Sequence, residues 1–166
     1  MTPFHLIPDA LTPAECLALT TLCAAAPLQD AGLVRATTAH NIRRADLVWL
    51  DDLPAAAWVL DRMIGVVAEA NRKAFNFDLR DFAESPQVAR YTAERQGHFD
   101  WHSDIGAGSL AARRKLTIVV QLSDPGTYQG GTLELRPDSN IRQAPASWGT
   151  AIIFPICRHT FSRTRS

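Results

Sequence analysis

The stretch His98-Phe99-Asp100-Trp101-His102-Ser103-Asp104 decides how the chain is read. On extended backbone, residues two apart point to the same face. His102 and Asp104 can therefore grip one cation together, and so can His98 and Asp100. A regular strand puts all four on one face, which is then either a solvent-facing surface or the lining of a polar site. Spacing alone leaves both readings and both pairs open. The surroundings are sheet-like. After Pro86, short apolar runs at 87–92, 98–104, 115–123, 131–136 and 149–155 alternate with turn residues. The strongest run is Leu116-Thr117-Ile118-Val119-Val120-Gln121-Leu122, and Asp124-Pro125-Gly126 and Gln129-Gly130-Gly131 punctuate the chain beyond it. Many short strands without intervening helices predict an antiparallel sandwich or barrel.

Upstream, the texture is helical. Thr12-Pro13-Ala14-Glu15 carries a capping box with proline at the first helical position. Leu17, Leu19, Leu22 and Cys23 supply a buried side, and Pro27 ends the helix. Asn41 to Leu50 reads as a segment ending in a strand, with Arg43-Arg44 a solvated strand end in preference to an anionic-substrate contact. A second helix is expected from about Pro54 to Lys73, with Asp51-Asp52 as caps. Trp58, Leu60, Met63, Ile64, Val67 and Ala68 form its core stripe. Phe75 to Leu79 is expected to begin the sheet region. The fold class is thus α+β, mainly β: a helical support region over 1–80 and a barrel over 86–166, together a single domain.

The chain has 166 residues, enough to bury a core without metal or disulfide staples. Seventeen acidic and seventeen basic residues balance, so nothing suggests a nucleic-acid-binding surface. Cys16, Cys23 and Cys157 form no CxxC pair and are odd in number, which favours reduced thiols in a cytoplasmic protein. The N-terminus has no basic segment followed by an apolar one, so no signal peptide is expected. No apolar run approaches about 18 residues, which argues against a membrane span.

Context separates the two HxD pairs. Tyr91-Thr92-Ala93-Glu94-Arg95-Gln96-Gly97 followed by His98 to Asp104 resembles the iron-binding segment of the prolyl-4-hydroxylase-like 2-oxoglutarate/Fe(II) dioxygenases, bacterial branch. Arg114-Lys115-Leu116-Thr117 through Gln121-Leu122-Ser123-Asp124 to Gly130-Gly131-Thr132-Leu133-Glu134-Leu135 is similar to the two strands that come next in that family. Gly149-Thr150-Ala151-Ile152-Ile153-Phe154-Pro155 is similar to the strand leading to the second iron histidine. The resemblance covers about 86–159 in the family's order. It implies a double-stranded β-helix, a jelly-roll barrel preceded by N-terminal helices packing on the sheet. It implies His102, Asp104 and His159 as iron ligands. Two imidazoles and one carboxylate with open positions are the ligand set of non-haem Fe(II) oxygenases. Tyr91 corresponds to a tyrosine that helps hold 2-oxoglutarate, or is a core aromatic. Thr117 and Gln121 line the pocket or simply occupy a strand face, and Trp101 points away from the metal. The implied cofactors are Fe(II), 2-oxoglutarate and O2, with ascorbate as an accessory reductant. The implied reaction is hydroxylation of a C–H bond in a peptidyl, prolyl-like residue or a small molecule.

The C-terminus departs from that pattern. The family carries a basic residue on its final barrel strand, well beyond the second histidine, to bind the distal carboxylate of 2-oxoglutarate. Here Arg163 and Arg165 are the candidates, and neither has the usual spacing. The tail from Cys157 to Ser166 also lacks the apolar alternation of a closing strand. The expectation is a last barrel strand that is missing or replaced, an open edge, and weak 2-oxoglutarate binding. The competing reading is a degenerate, non-catalytic metal-binding barrel. A cupin-like protein, a third class, predicts more pocket histidines than the five in this chain.

Overall fold

The computed structural model describes residues 3–30, 43–106, 108–156 and 160–165. Helix α1 (Pro13–Ala24) starts as its cap dictates: the Glu15 amide donates to Thr12 Oγ1 at 3.2 Å, and the Thr12 amide to Glu15 Oε1 at 3.0 Å. Two spare donors are satisfied reciprocally. Arg62 of helix α2 (Trp58–Ala70) reaches the same carboxylate, at 2.8 Å to Oε2, and so ties the two helices. The second helix is shorter than its periodicity predicts. Asp51 and Asp52 do not cap it but sit in a separate turn, Leu50–Asp52, and a further turn, Pro54–Ala56, precedes Ala57, its start. Beyond Ala70 the helix widens into a π-turn, Asn71–Phe75, closed by Asn76 at φ 56°. Phe75 to Leu79 forms no strand, because Phe75 is spent in that turn and packs with the helix.

The strands are β1 (His5–Ile7), β2 (Gln29–Asp30), β3 (Arg43–Arg44), β4 (Asp46–Trp49), β5 (Gln87–Arg90), β6 (His98–His102), β7 (Leu116–Val120), β8 (Thr132–Arg136), β9 (Arg142–Gln143), β10 (Ala151–Pro155) and β11 (Phe161–Arg165). They form three antiparallel sheets, in orders β1-β10-β7, β3-β6-β11-β8-β9 and β2-β4-β5. Strand β10 shows why its sequence is continuously apolar. Ala151 and Ile153 face the cluster of Val66, Ala70 and Phe75, while Ile152 and Phe154 pack with Leu133 and Leu135 of β8. A strand buried on both faces needs no alternation. Each of those large side chains contributes on the order of 1.5–3 kcal/mol by leaving water.

The strands belong to the jelly-roll arrangement, but the barrel is not closed. Among the described residues, no strand pairs with the outer edge of β5 or of β7. Both edges border one cavity of about 1120 Å³, lined by Leu50, Val59, Met63, Ile118 and Val120 and reaching Asp104 and Thr117. The expected open edge is therefore present, but its cause is not an unstructured tail. Residues Phe161–Arg165 do form a strand, and it is central, paired with β6 on one side and β8 on the other. Its sequence conceals this because one face is polar and the other carries arginines.

The connection between α1 and β10 depends on Gly149, at φ +76°, where an added β-carbon would lie 2.0 Å from the Leu11 carbonyl oxygen. The Leu11 amide donates to the Gly149 carbonyl at 3.1 Å, so the two backbones cannot separate without losing that bond. Gly149→Ala is expected to cost at least about 2 kcal/mol, from the left-handed φ and the clash together. A lowered urea midpoint with an unchanged slope is the measurement that checks it.

Candidate active site

Strand β6 reaches the site through a tight connection from β5. The Gly97 amide donates to the Thr92 carbonyl at 2.8 Å, and a side chain at Gly97 would meet the Thr92 nitrogen at 2.7 Å. Glycine is thus required where the chain passes its own backbone.

A β-bulge resolves the ambiguity between the two HxD pairs. Ser162 pairs with His102 and Thr164 with Phe99, so two residues of β6, Asp100 and Trp101, lie against one of β11, Arg163. A bulge of this kind interrupts alternation. Phe99, not Asp100, therefore shares the face of His102, and the two rings stack at 3.4 Å between centroids. Asp100 is exposed, with Oδ1 accepting the Trp101 amide at 2.7 Å, and His98 Nδ1 lies 2.9 Å from the Gln96 carbonyl. Arg43, across the ladder, stacks its guanidinium 4.5 Å over Phe99 and has an unbonded, buried Nε. Its neighbour Arg44 donates to the Arg95 carbonyl at 3.3 Å.

His102 and Asp104 converge. His102 Nδ1 is 2.7 Å from the Asp100 carbonyl oxygen, which can only accept, so this nitrogen carries a proton. Nε2 is then turned toward Asp104 Oδ1 at 3.2 Å, with Ser162 Oγ at 3.4 Å. The other Asp104 oxygen, Oδ2, accepts from Thr117 Oγ1 at 2.7 Å, and the Asp104 carbonyl accepts from Arg114 Nη1 at 2.6 Å. Arg114 in turn grips Glu84 with two nitrogens, Nε at 2.6 Å from Oε2 and Nη2 on Oε1. Burial alone raises the Asp104 pKa. The hydrogen bonds from His102 and Thr117, with the charges of His102 and Arg114, more than offset this and hold it below the ordinary carboxylate value. A depressed carboxylate stabilises the fold fully above its unfolded pKa of about 3.9, and that contribution fades only as pH falls through the lower folded value.

These atoms suit a divalent cation. Two donors at right angles, each about 2.1 Å from one ion, lie about 3 Å apart, close to the 3.2 Å found here. The backbone carbonyl holds a proton on Nδ1, so Nε2 is the nitrogen a cation would take, in place of the proton shared with Asp104. Among the described residues no third His, Cys, Asp or Glu joins the pair, and His159 and Cys157 lie outside the described residues. Tyr91, half-buried, packs against Ala45 and Leu47.

Arg163 and Arg165 are not brought to this edge. Ser162 faces His102, so by alternation Arg163 and Arg165 emerge on the opposite face. There Arg163 Nε donates to Glu134 Oε2, Arg165 Nη1 lies 4.0 Å from Glu134 Oε1, and the Arg163 guanidinium sits 4.5 Å over Trp101. Trp101 points away from His102, as expected, and Arg136 also stacks on it, at 5.0 Å. Gln121 donates to the Tyr128 hydroxyl and does not reach Asp104, whereas Thr117 does. Sequence reading missed Ser162, Arg114 and Glu84. Only the ladder register could have revealed Ser162, and nothing in their local sequence marks the other two.

Comparison with known proteins bears on the family pattern and the fold. Residues 86–166, just under half the chain, match the pattern of the 2OG-Fe(II) oxygenase superfamily. No curated protein sequence matches. Among solved structures, the fold is similar to a Pseudomonas putida prolyl-4-hydroxylase: 20% identity, TM-score 0.76, covering 98% of this chain and 84% of that one. It is similar to a Trichoplax adhaerens prolyl hydroxylase in complex with a hypoxia inducible factor peptide fragment: 15% identity, TM-score 0.74, 98% and 77% covered. It is also similar to a viral collagen prolyl hydroxylase from Paramecium Bursaria Chlorella virus-1 in its 2OG complex: 19% identity, TM-score 0.67, 99% and 90% covered. Residues 86–166 are thus similar to the 2OG-Fe(II) oxygenase superfamily, and the fold as a whole is similar to that of prolyl-4-hydroxylases. The cofactors of that family are Fe(II), 2-oxoglutarate and O2.

Arg163→Met leaves Glu134, whose side chain is 4% exposed, with Gln143 Nε2 at 3.5 Å and Arg165 Nη1 at 4.0 Å. A loss of about 1–3 kcal/mol is expected from a buried carboxylate deprived of its main donor. Calorimetric titration with Mn(II) is expected to show unchanged affinity, because the arginine lies across the sheet from His102.

Proposed function

We propose that this chain hydroxylates a C–H bond of a peptidyl, prolyl-like residue or of a small molecule, with iron held by His102, Asp104 and His159. The observation that carries the reading is the convergence of His102 Nε2 and Asp104 Oδ1 at 3.2 Å, with the remaining nitrogen and oxygen of the two side chains already bonded. Support for His159 is topological. Strand β11 pairs antiparallel with β6, Ser162 opposite His102, so the chain enters β11 from the Asp104 end. Bound Fe(II), with 2-oxoglutarate and O2, supplies the oxidising power: 2-oxoglutarate becomes succinate and CO2 while the substrate C–H becomes C–OH.

The chain's own groups do the holding. The Asp100 carbonyl orients the His102 ring, Thr117 orients the Asp104 carboxylate, and Phe99 covers one face of the imidazole. The cavity between β5 and β7 reaches Asp104 and is lined largely by apolar side chains, which suits exclusion of water from a reacting C–H bond. A prolyl-like peptide fits a chain whose structural neighbours include a prolyl hydroxylase with a bound peptide. Tyr91 remains the proposed contact for 2-oxoglutarate. Cys16 and Cys23 are buried free thiols, which accords with a cytoplasmic setting. No helix among the described residues is long and apolar enough to cross a membrane.

One observation favours a second reading, the non-catalytic metal-binding barrel: the edges of β5 and β7, unpaired among the described residues, with both candidate arginines turned across the sheet. Succinate release from 2-oxoglutarate with Fe(II) and ascorbate separates the two. The hydroxylase reading expects turnover in the wild type and a fall of at least about 100-fold in His102→Ala, as for loss of a group required in the reaction. No turnover by a folded, Mn(II)-binding wild type establishes the alternative.

A further inference from the structure

The Thr117 hydroxyl and the Arg114–Glu84 pair have no part in the ligand set, yet all three converge on Asp104. We propose that Thr117 is a positioning residue that restricts Asp104 to one-oxygen ligation, with Arg114, braced by Glu84, fixing the backbone from which that carboxylate projects. The inference rests on the metal-binding reading of His102 and Asp104.

A carboxylate can ligate through one oxygen or two. Here the oxygens are already distinguished: Oδ1 faces His102 Nε2 at 3.2 Å, and Oδ2 is occupied by the Thr117 hydroxyl at 2.7 Å. The placement follows from β7. Thr117 pairs with Phe154 of β10, and its neighbours Leu116 and Ile118 turn to the other face, into the cluster of Ala151 and Ile153. Thr117 is therefore held at the site by apolar packing on either side of it in sequence. The consequence is a matter of counting. An octahedral ion with three single-atom protein ligands keeps three positions, enough for a two-point 2-oxo acid chelate and one oxygen molecule. A second Asp104 oxygen would take one of them.

Arg114 acts one step further out. Its Nη1 holds the Asp104 carbonyl at 2.6 Å, while Nε, 2.6 Å from Glu84 Oε2, and Nη2 form a fork on that carboxylate. Paired guanidinium donors of this kind fix orientation as well as distance. The segment before β5, the turn after β6 and the start of β7 are thus joined at the residue that would ligate the metal.

The test uses the full chain loaded with Co(II), whose visible spectrum reports the number and arrangement of its ligands. Thr117→Val removes the hydroxyl at constant shape, and Thr117→Ser restores it. Thr117→Ala serves as a second hydroxyl-free variant should valine disturb β7. Expected for the hydroxyl-free variant are a changed Co(II) spectrum and an affinity about tenfold lower or more, with both recovered in Thr117→Ser. A wild-type Co(II) spectrum and affinity in Thr117→Val overturns the proposal, because a packing role alone predicts that result. Failure of Thr117→Ser to recover either quantity overturns it too. If wild type and His102→Ala bind Co(II) equally, the metal site itself is wrong and the positioning role falls with it.

Discussion

Antiparallel pairing of β6 with β11, interrupted by one bulge, is the constraint on which the site depends. It sets Ser162 opposite His102 and Thr164 opposite Phe99. The bulge rotates His98 and Asp100 out of the face that carries His102. It also brings Phe99 under the imidazole. The same strand, through its other edge, places Arg163 on Glu134 of β8. A single register thus chooses between two equivalent-looking pairs of residues and assigns the tail arginines to a structural face. A one-residue slip in that register would exchange the faces.

Around this pairing, the rest of the molecule holds the two main sheets face to face and presses the helices on one of them. Strand β10 contributes to both layers, with Ile153 toward the helices and Ile152 and Phe154 toward β8. The polar site lies at the margin of this packing. Asp104 is mostly removed from water, and a buried carboxylate without partners would be costly. Thr117, His102 and Arg114 provide those partners, which is why its pKa is lowered despite burial. Electrostatic satisfaction and side-chain orientation are here the same set of contacts.

The open side of the barrel gives the site its access. The edges of β5 and β7 face a common cavity that extends to Asp104. The side chains that line the cavity are mostly apolar, with Arg113, Arg114, Lys115, Asp81 and Glu84 also along it.

Much of the architecture was legible in the residues. The Thr12–Glu15 capping box, the five strand-like runs after Pro86 and the buried continuity of Ala151 to Phe154 each follow from local chemistry that the structure leaves unchanged. Local signals failed where a strand's neighbours supply its burial. Phe161-Ser162-Arg163-Thr164-Arg165 has no apolar alternation, yet it is central, because Glu134 neutralises one face and the site occupies the other. Asp51 and Asp52 resemble caps, but the chain turns twice before α2 begins. The sequence by itself determined the helical and stranded halves and, through Trp101-His102-Ser103-Asp104, which ligands to expect. Only the tertiary structure decided that Thr117, Arg114 and Glu84 serve Asp104 and that Arg163 and Arg165 do not reach it. Period-two alternation is a local property of one strand, whereas the register and bulge that give it meaning arise only when strands distant in sequence pair.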